Sequence, residues 1–107
     1  MYNVNMFVYA FITFEWDDKK AETNLKKHGV SFGEASTVFY DPHALLIDDD
    51  AHSYDEDRFI ILGVSAAART LTVCHCYREA HEKIRIISAR KATKAEEGNY
   101  WRLRNEG

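Results

Sequence analysis

Four arginines, Arg58, Arg78, Arg85 and Arg90, stand in or beside β-rich runs in the second half of the chain. A guanidinium keeps its charge at any working pH and forks onto two phosphate oxygens, and one sheet face can aim several of them at a single point. The chemistry such a group offers is the binding of an anion and the stabilisation of charge that builds on it. Proton transfer needs other side chains. His28 is of the type whose ordinary titration spans neutrality. Glu56, next to Asp57 and Arg58, is a carboxylate within reach of the arginines that burial would turn into a base. Ser88 and Lys91, close to Arg90 in sequence, add a hydroxyl and an ammonium.

Each of these residues also has an ordinary structural role open to it. Arginines pair on surfaces, a Lys27-His28-Gly29 helix end is accounted for by capping, Glu56 lies in a charge run, and Ser88 can satisfy a strand end. His75 falls mid-strand, where burial explains it, and His52 and His81 sit in polar stretches. A divalent-cation site built from His43, Asp48, Asp49, Asp50 and His52 is a competing reading, although the spacing matches no EF-hand or zinc pattern.

The elements that must hold these residues follow from caps and periodicity. Asp17 caps a helix running to His28 and closed by Gly29, with Ala21, Leu25 and His28 expected on its apolar face. Ser31 and Glu34 form a capping box for a second helix, Val30 and Ala35 its hydrophobic staple, Val38 and Phe39 complete its apolar face, and Asp41-Pro42 stops it. Ala44–Ile47 reads as a short strand entering the acidic stretch Asp48–Asp50. Arg58–Ser65, Thr70–Tyr77 and Lys83–Ala89 read as an antiparallel meander, with Gly63 placed for a bulge. Strict alternation in the last of these sets Ile84, Ile86, Ser88 and Arg90 on one face and Arg85, Ile87 and Ala89 on the other. Thr93 and Glu96 form a second capping box, opening a terminal helix that Gly98 weakens and whose Tyr100 and Leu103 would pack on the sheet. The order β-α-α-β-β-β-β-α describes an α+β domain: a mainly antiparallel sheet of four to five strands packed with three helices.

A chain of 107 residues fits one domain, 1–107, since neither half could bury an adequate core, and 46% hydrophobic residues suffice for a core without disulfides. Cys74 and Cys76 are two apart in one strand and point the same way, which argues for free thiols, a reducing compartment and a cytoplasmic location. The apolar run Met6–Phe14 has no basic residues and about half the length of a membrane helix, so no membrane partner is expected. Residues 1–13 read as an extended leader or first strand. Charge is split: up to Asp57 there are 12 acidic and 4 basic residues, from Arg58 onward 5 acidic and 10 basic. The net −3 argues against a uniformly basic nucleic-acid coat but permits a local positive site.

Particular segments resemble a known family. Phe14-Glu15-Trp16-Asp17 and Asn24-Leu25-Lys26-Lys27-His28-Gly29 are similar to the opening of BrnT-like proteins. Phe32, Glu34, Ala35, Val38, Phe39 and Asp41-Pro42 are similar to its second helix, and Glu56–Phe59 leading to Gly63 to its next strand. The most specific match is Ile84–Thr93 followed by Glu96, Glu97 and Tyr100, so that the resemblance covers roughly Phe14 to Trp101. The longer leader and the acidic net charge depart from the family's usual pattern.

The resemblance implies a RelE-like fold and a ribonuclease toxin of a type II toxin-antitoxin system that inhibits translation and growth. Its partner would be a ribbon-helix-helix antitoxin, BrnA, and operator DNA would be met only through the antitoxin complex. RNA would be the substrate, and no cofactor or metal is expected. Metal-free cleavage requires a base for the 2′-hydroxyl, cations for the phosphorane and an acid for the leaving 5′-oxygen. Arg58, Arg78 and Arg90 are the expected cations, with His28 or Glu56 moving protons and Arg85, Ser88 and Lys91 on RNA phosphates. An acidic antitoxin segment over the arginines would inhibit by occlusion, with Tyr100 or Trp101 either anchoring it or packed in the core. The alternative is a module that cuts nothing and acts with a DNA-binding partner in autoregulation.

Overall fold

The computed structural model describes residues 13–48, 58–78 and 83–106. Glu56, Asp49, Asp50, His52 and His81, and nearly all of the apolar run Met6–Phe14, lie outside the described residues. The elements are β1 (Thr13–Glu15), α1 (Asp18–His28), α2 (Phe32–Thr37), a 3-10 turn (Val38–Tyr40), β2 (Leu45–Asp48), β3 (Phe59–Val64), β4 (Thr70–Arg78), β5 (Lys83–Lys91) and α3 (Lys94–Glu106). This is the α+β order expected from sequence. The strands form one sheet in the order β1-β5-β4-β3-β2, antiparallel throughout except for the parallel pair β1 and β5. No described helix is long and apolar enough to cross a membrane.

Local chemistry accounts for the helix ends. Asp17 Oδ1 accepts from the Lys20 amide at 2.9 Å, and Gly29 closes α1 in the left-handed region at φ 69°. Ser31 Oγ accepts from the Glu34 amide at 3.0 Å, but the Glu34 carboxylate does not return the favour. It turns outward to take Arg69 and the Ser65 hydroxyl, tying α2 to the β3–β4 turn. The second box is complete: Thr93 Oγ1 accepts from the Glu96 amide at 3.1 Å and Glu96 Oε1 from the Thr93 amide at 2.8 Å.

The core lies between one sheet face and the two first helices, where Val30, Phe32, Ala35 and Val38 meet Ile61, Leu71, Val73, Ile84, Ile86 and Ala89. On α1 the inward stripe is Ala21 and Asn24, and Leu25 is 50% exposed rather than apolar filling. On α3 Tyr100 is buried as expected, whereas Leu103 is 41% exposed.

Two departures from regular alternation matter for the site. Cys74 faces Ser88 while His75 faces Ile86, so Ile87 is an extra residue in β5 and the strand carries a β-bulge. The bulge resets the faces: Ala89 is buried with Ile84 and Ile86, and Ser88 and Arg90 fall on the opposite side with Arg85, contrary to strict alternation. Gly63, by contrast, sits in unbroken register opposite Leu71 and makes no bulge. A Cβ there would meet Asp41 Oδ2 at 2.9 Å, Val38 Cγ1 at 3.0 Å and Ala44 Cβ at 3.1 Å. Asp41 must come this close because its carboxylate accepts from the Val64 amide, the His43 amide and the Tyr100 hydroxyl, joining the 3-10 turn, β3 and α3. Gly63→Ala is therefore expected to cost about 1–3 kcal/mol, read as a lower urea midpoint with an unchanged slope.

Candidate active site

Residues paired across the sheet share a face. On the face away from α1 and α2, one row holds Leu62, Thr72 and Arg90, the next Ile60, Cys74 and Ser88, and a third Cys76, Arg85 and Glu15. Arg78 and Lys83 form the row beyond. All four arginines singled out from sequence thus share this face. The bulge makes that possible, since without its extra residue Arg85 and Arg90 would point to opposite sides.

Within the face, Arg58, Ile60, Thr72, Cys74, Ile87, Ser88 and Arg90 line a cleft of about 320 Å³. Arg58 is half-buried, and its Nε is buried with no hydrogen-bond partner. It is the one such side-chain atom among the described residues. A buried cationic donor left unsatisfied is costly, and the residue that carries it also forms part of the cleft wall. Arg90 forks onto Glu96, Nη1 to Oε1 at 2.8 Å and Nη2 to Oε2 at 3.0 Å. Glu96 also accepts from Thr72 Oγ1 at 3.1 Å. The guanidinium of Arg90, aided by the Thr93 amide and Thr72 hydroxyl, holds the Glu96 carboxyl down at about 2 against the opposing pull of burial. Glu96 thereby fixes the orientation of Arg90 along the cleft wall.

The remaining candidates are placed around this pair. Arg85 Nη1 donates to Glu15 Oε2 at 2.7 Å, and Arg78 lies at the far end of β4, six residues from Thr72. Lys91 faces Leu71 on the helix side of the sheet, away from the arginines. His28 lines a second groove with Lys19, Lys20, Thr23, Asn24 and Lys27, and that groove shares Ile87 and Ser88 with the arginine cleft. The bulge is thus the ridge between the histidine and the arginines. Thr72 and Cys74, and the lysines of α1, were missed by sequence reasoning. Thr72 and Cys74 follow from alternation once the bulge is placed, but nothing in composition signals a groove between a helix and a strand.

The groove exists because β1 ends at Glu15. Among the described residues it pairs with β5 at Lys83–Arg85, and farther along α1 closes the edge through Asn24. The Ala89 amide donates to Asn24 Oδ1 at 3.1 Å, and Asn24 Nδ2 donates to the Ala89 carbonyl at 2.8 Å and the Val30 carbonyl at 2.9 Å. One buried amide so mimics a neighbouring strand and pins β5 immediately after the bulge.

Of the other groups, His43 is described, as is the backbone of Asp48 in β2, but the rest of the proposed cation site is not, and no cluster of three or more metal-ligating side chains occurs among the described residues. His75 is fully buried on the helix side of the sheet, edge-on to Phe39 and Tyr77 and near Phe59. Burial pushes it down to about 4 from an ordinary 6.5, with a weak contact to the Val73 carbonyl opposing. It is neutral core. As pH falls from about 6.5 toward 4 the unfolded chain takes up this proton and the folded chain does not, so stability drops by up to about 3 kcal/mol. Urea midpoints between pH 7.5 and 4.5 should show that loss, and His75→Leu should flatten it. The Glu96 contribution is present above about 4.5 and disappears only as pH falls toward 2.

Comparison with known proteins agrees with this architecture. The family model described as the ribonuclease toxin BrnT of type II toxin-antitoxin systems matches residues 16–96. The crystal structure of the ribonuclease toxin BrnT of Brucella abortus superposes with a TM-score of 0.61 at 24% identity, covering 78% of this chain and 99% of that one. At that identity the superposition speaks for the fold. Comparison with curated protein sequences finds none that matches. The family match spans well over half of the chain, including β5 with its bulge, and the chain belongs to the BrnT family of ribonuclease toxins of type II toxin-antitoxin systems.

Proposed function

We propose that this chain is a metal-independent endoribonuclease that holds the scissile phosphate of RNA in the cleft between Arg58 and Arg90. The observation that carries this reading is a cleft that brings Arg58, whose buried Nε has no protein partner, together with Arg90, Thr72 and Ser88. In the reaction a base removes the 2′-hydroxyl proton, the 2′-oxygen attacks phosphorus, the bond to the 5′-oxygen breaks, and that oxygen takes a proton from an acid. Products are a 2′,3′-cyclic phosphate and a 5′-hydroxyl. Arg58 and Arg90 stabilise the doubly charged phosphorane, and Ser88 donates to a phosphate oxygen. His28, across the bulge from the arginines, exchanges protons with the ribose. Glu56, two residues before Arg58 in sequence, is the other group proposed to move protons, and Arg78 and Arg85 extend the positive face to flanking phosphates. Lys91, on the opposite face, has no part in this arrangement.

The partner of the toxin is a BrnA-type ribbon-helix-helix antitoxin that covers the arginine face and carries the complex to operator DNA, and the setting is cytoplasmic. Unrestrained cleavage inhibits translation and growth. The test is incubation of the chain, freed of any partner, with end-labelled RNA, with and without ribosomes, in excess EDTA. Cleavage in chelator is expected, and its abolition by chelator would refute the metal-free reading.

A further inference from the structure

The groove beside α1 has a chemistry of its own. Lys20, Asn24 and Lys27 recur at helical spacing on one face, joined by Lys19, Thr23 and His28, and no carboxylate among the described residues lines the groove. Lys20 and Lys27 stand two turns apart, about 10 Å along the helix. On α1 and at its cap the acidic groups are engaged elsewhere: Asp17 caps the helix, and Glu22 pairs with Lys26 at 3.3 Å, outside the groove. Asp18 is in the first turn but is not part of the groove wall. None of Lys19, Lys20 and Lys27 forms an ion pair among the described residues. In a chain of net charge −3 this strip is a local concentration of positive charge, continuous with the arginine cleft through Ile87 and Ser88. Its floor is rigid, since Asn24 spends its amide on the backbone of Ala89 and Val30.

We infer that this groove is a second subsite for single-stranded RNA, in which Lys19, Lys20 and Lys27 hold the phosphates flanking the scissile one after the strand crosses the β5 bulge. The inference rests on the ribonuclease reading and adds to it a substrate class: a single strand long enough to occupy both clefts. A duplex is too wide to follow a path that bends over a one-residue ridge, whereas a single strand turns at each phosphate.

The test measures binding of fluorescent 2′-O-methyl RNAs, which lack the attacking hydroxyl, at lengths of 3 and 12 nucleotides. Wild type is compared with Lys19→Gln/Lys20→Gln/Lys27→Gln, whose exposed positions leave the core untouched. For the 12-mer, affinity should fall at least about 10-fold at low salt, and the slope of log affinity against log salt should shrink by about 2, as three lost phosphate contacts on a single strand require. The 3-mer should be held within about two-fold of wild type. Unchanged 12-mer affinity, an equal loss at both lengths, or wild type that fails to bind the 12-mer would overturn the inference. So would a variant that loses affinity for a polyglutamate peptide and keeps it for RNA, which would assign the strip to an acidic protein partner. Cleavage of an unmodified 12-mer by wild type, run alongside, reports on the ribonuclease reading separately.

Discussion

Arg58→Ala is expected to lower kcat for RNA cleavage by about 10²–10³-fold, with little change in stability. The residue lines the cleft and carries a buried cationic donor without a protein acceptor. Removing it deletes charge stabilisation in the transition state while relieving an unsatisfied group in the free protein. Arg58→Lys keeps the charge and loses the fork, so it should recover only part of the rate. Arg90→Ala should cost a similar factor, but by a mixed route, because it also strips Glu96 of its partner and loosens the start of α3. The combined variant should lose less than the product of the single losses, as groups acting on one phosphorane do. Lys91→Ala is the internal control: it lies on the other face and should leave kcat within about two-fold of wild type. Single-turnover rates on one defined oligonucleotide separate these cases, and an Arg58→Ala protein that is folded and fully active would remove the cleft from the mechanism.

The largest expected effect on stability belongs to Asn24. Asn24→Ala deletes three hydrogen bonds and leaves the amide and carbonyl of Ala89 and the carbonyl of Val30 buried without these partners. At about 1–3 kcal/mol for each abandoned group, partly recovered by relaxation, the loss should be about 3–5 kcal/mol. For a domain of this size that is a fall in Tm of more than about 12 °C. Asn24→Asp is a sharper test, because an oxygen can still accept from the Ala89 amide but repels both carbonyls, so it should be scarcely better than alanine. Hydrogen exchange at the Ala89 amide should accelerate first. Because Ala89 follows Ser88 directly, the same variants should also lower kcat at temperatures where the fold persists, by loosening Ser88 and Arg90.

Much of this fold was legible because its signals are local. The caps at Asp17, Ser31 and Thr93, the stop at Asp41-Pro42 and the β-branched runs each depend on neighbours a few residues away, and the element order follows from them. The illegible parts are those set by contacts distant in sequence. Asn24 looks like an exposed helical residue until β5, 65 positions away, arrives beside it. Gly63 carries the usual signature of a bulge, yet its reason is the approach of Asp41, and the actual bulge at Ile87 has no glycine to announce it. Strict alternation therefore split Arg85 from Arg90 and grouped Ser88 with buried isoleucines, while the bulge reunites the arginines. Leu25 and Leu103 fit a helical apolar stripe by spacing, but the helices turn slightly different faces inward. Of the two terminal aromatics, Tyr100 is core, its hydroxyl bound to Asp41, and Trp101 is 39% exposed with Arg104 stacked 4.8 Å from its ring. Sequence left that choice open, since both residues belong to one helical turn.

The same geometry is compatible with the proposed binding of a polyanion by an acidic chain. Among the described residues three carboxylates are disposed against particular cations, Glu96 on Arg90, Glu34 on Arg69 and Glu15 on Arg85, where they set orientation. Arg58 and Lys19, Lys20 and Lys27 are outside the described ion pairs and border the two clefts that meet at the bulge.

The most direct test of the central claim is the chemical identity of the ends produced when the partner-free chain cuts RNA in excess EDTA. The mechanism predicts a 2′,3′-cyclic phosphate, or the 3′-phosphate it hydrolyses to, and a 5′-hydroxyl, with no cleavage where the 2′-hydroxyl upstream of the scissile bond is methylated. Ends bearing 3′-hydroxyl and 5′-phosphate, or cleavage that persists after methylation, would contradict attack by the ribose and with it the roles given to His28, Arg58 and Arg90.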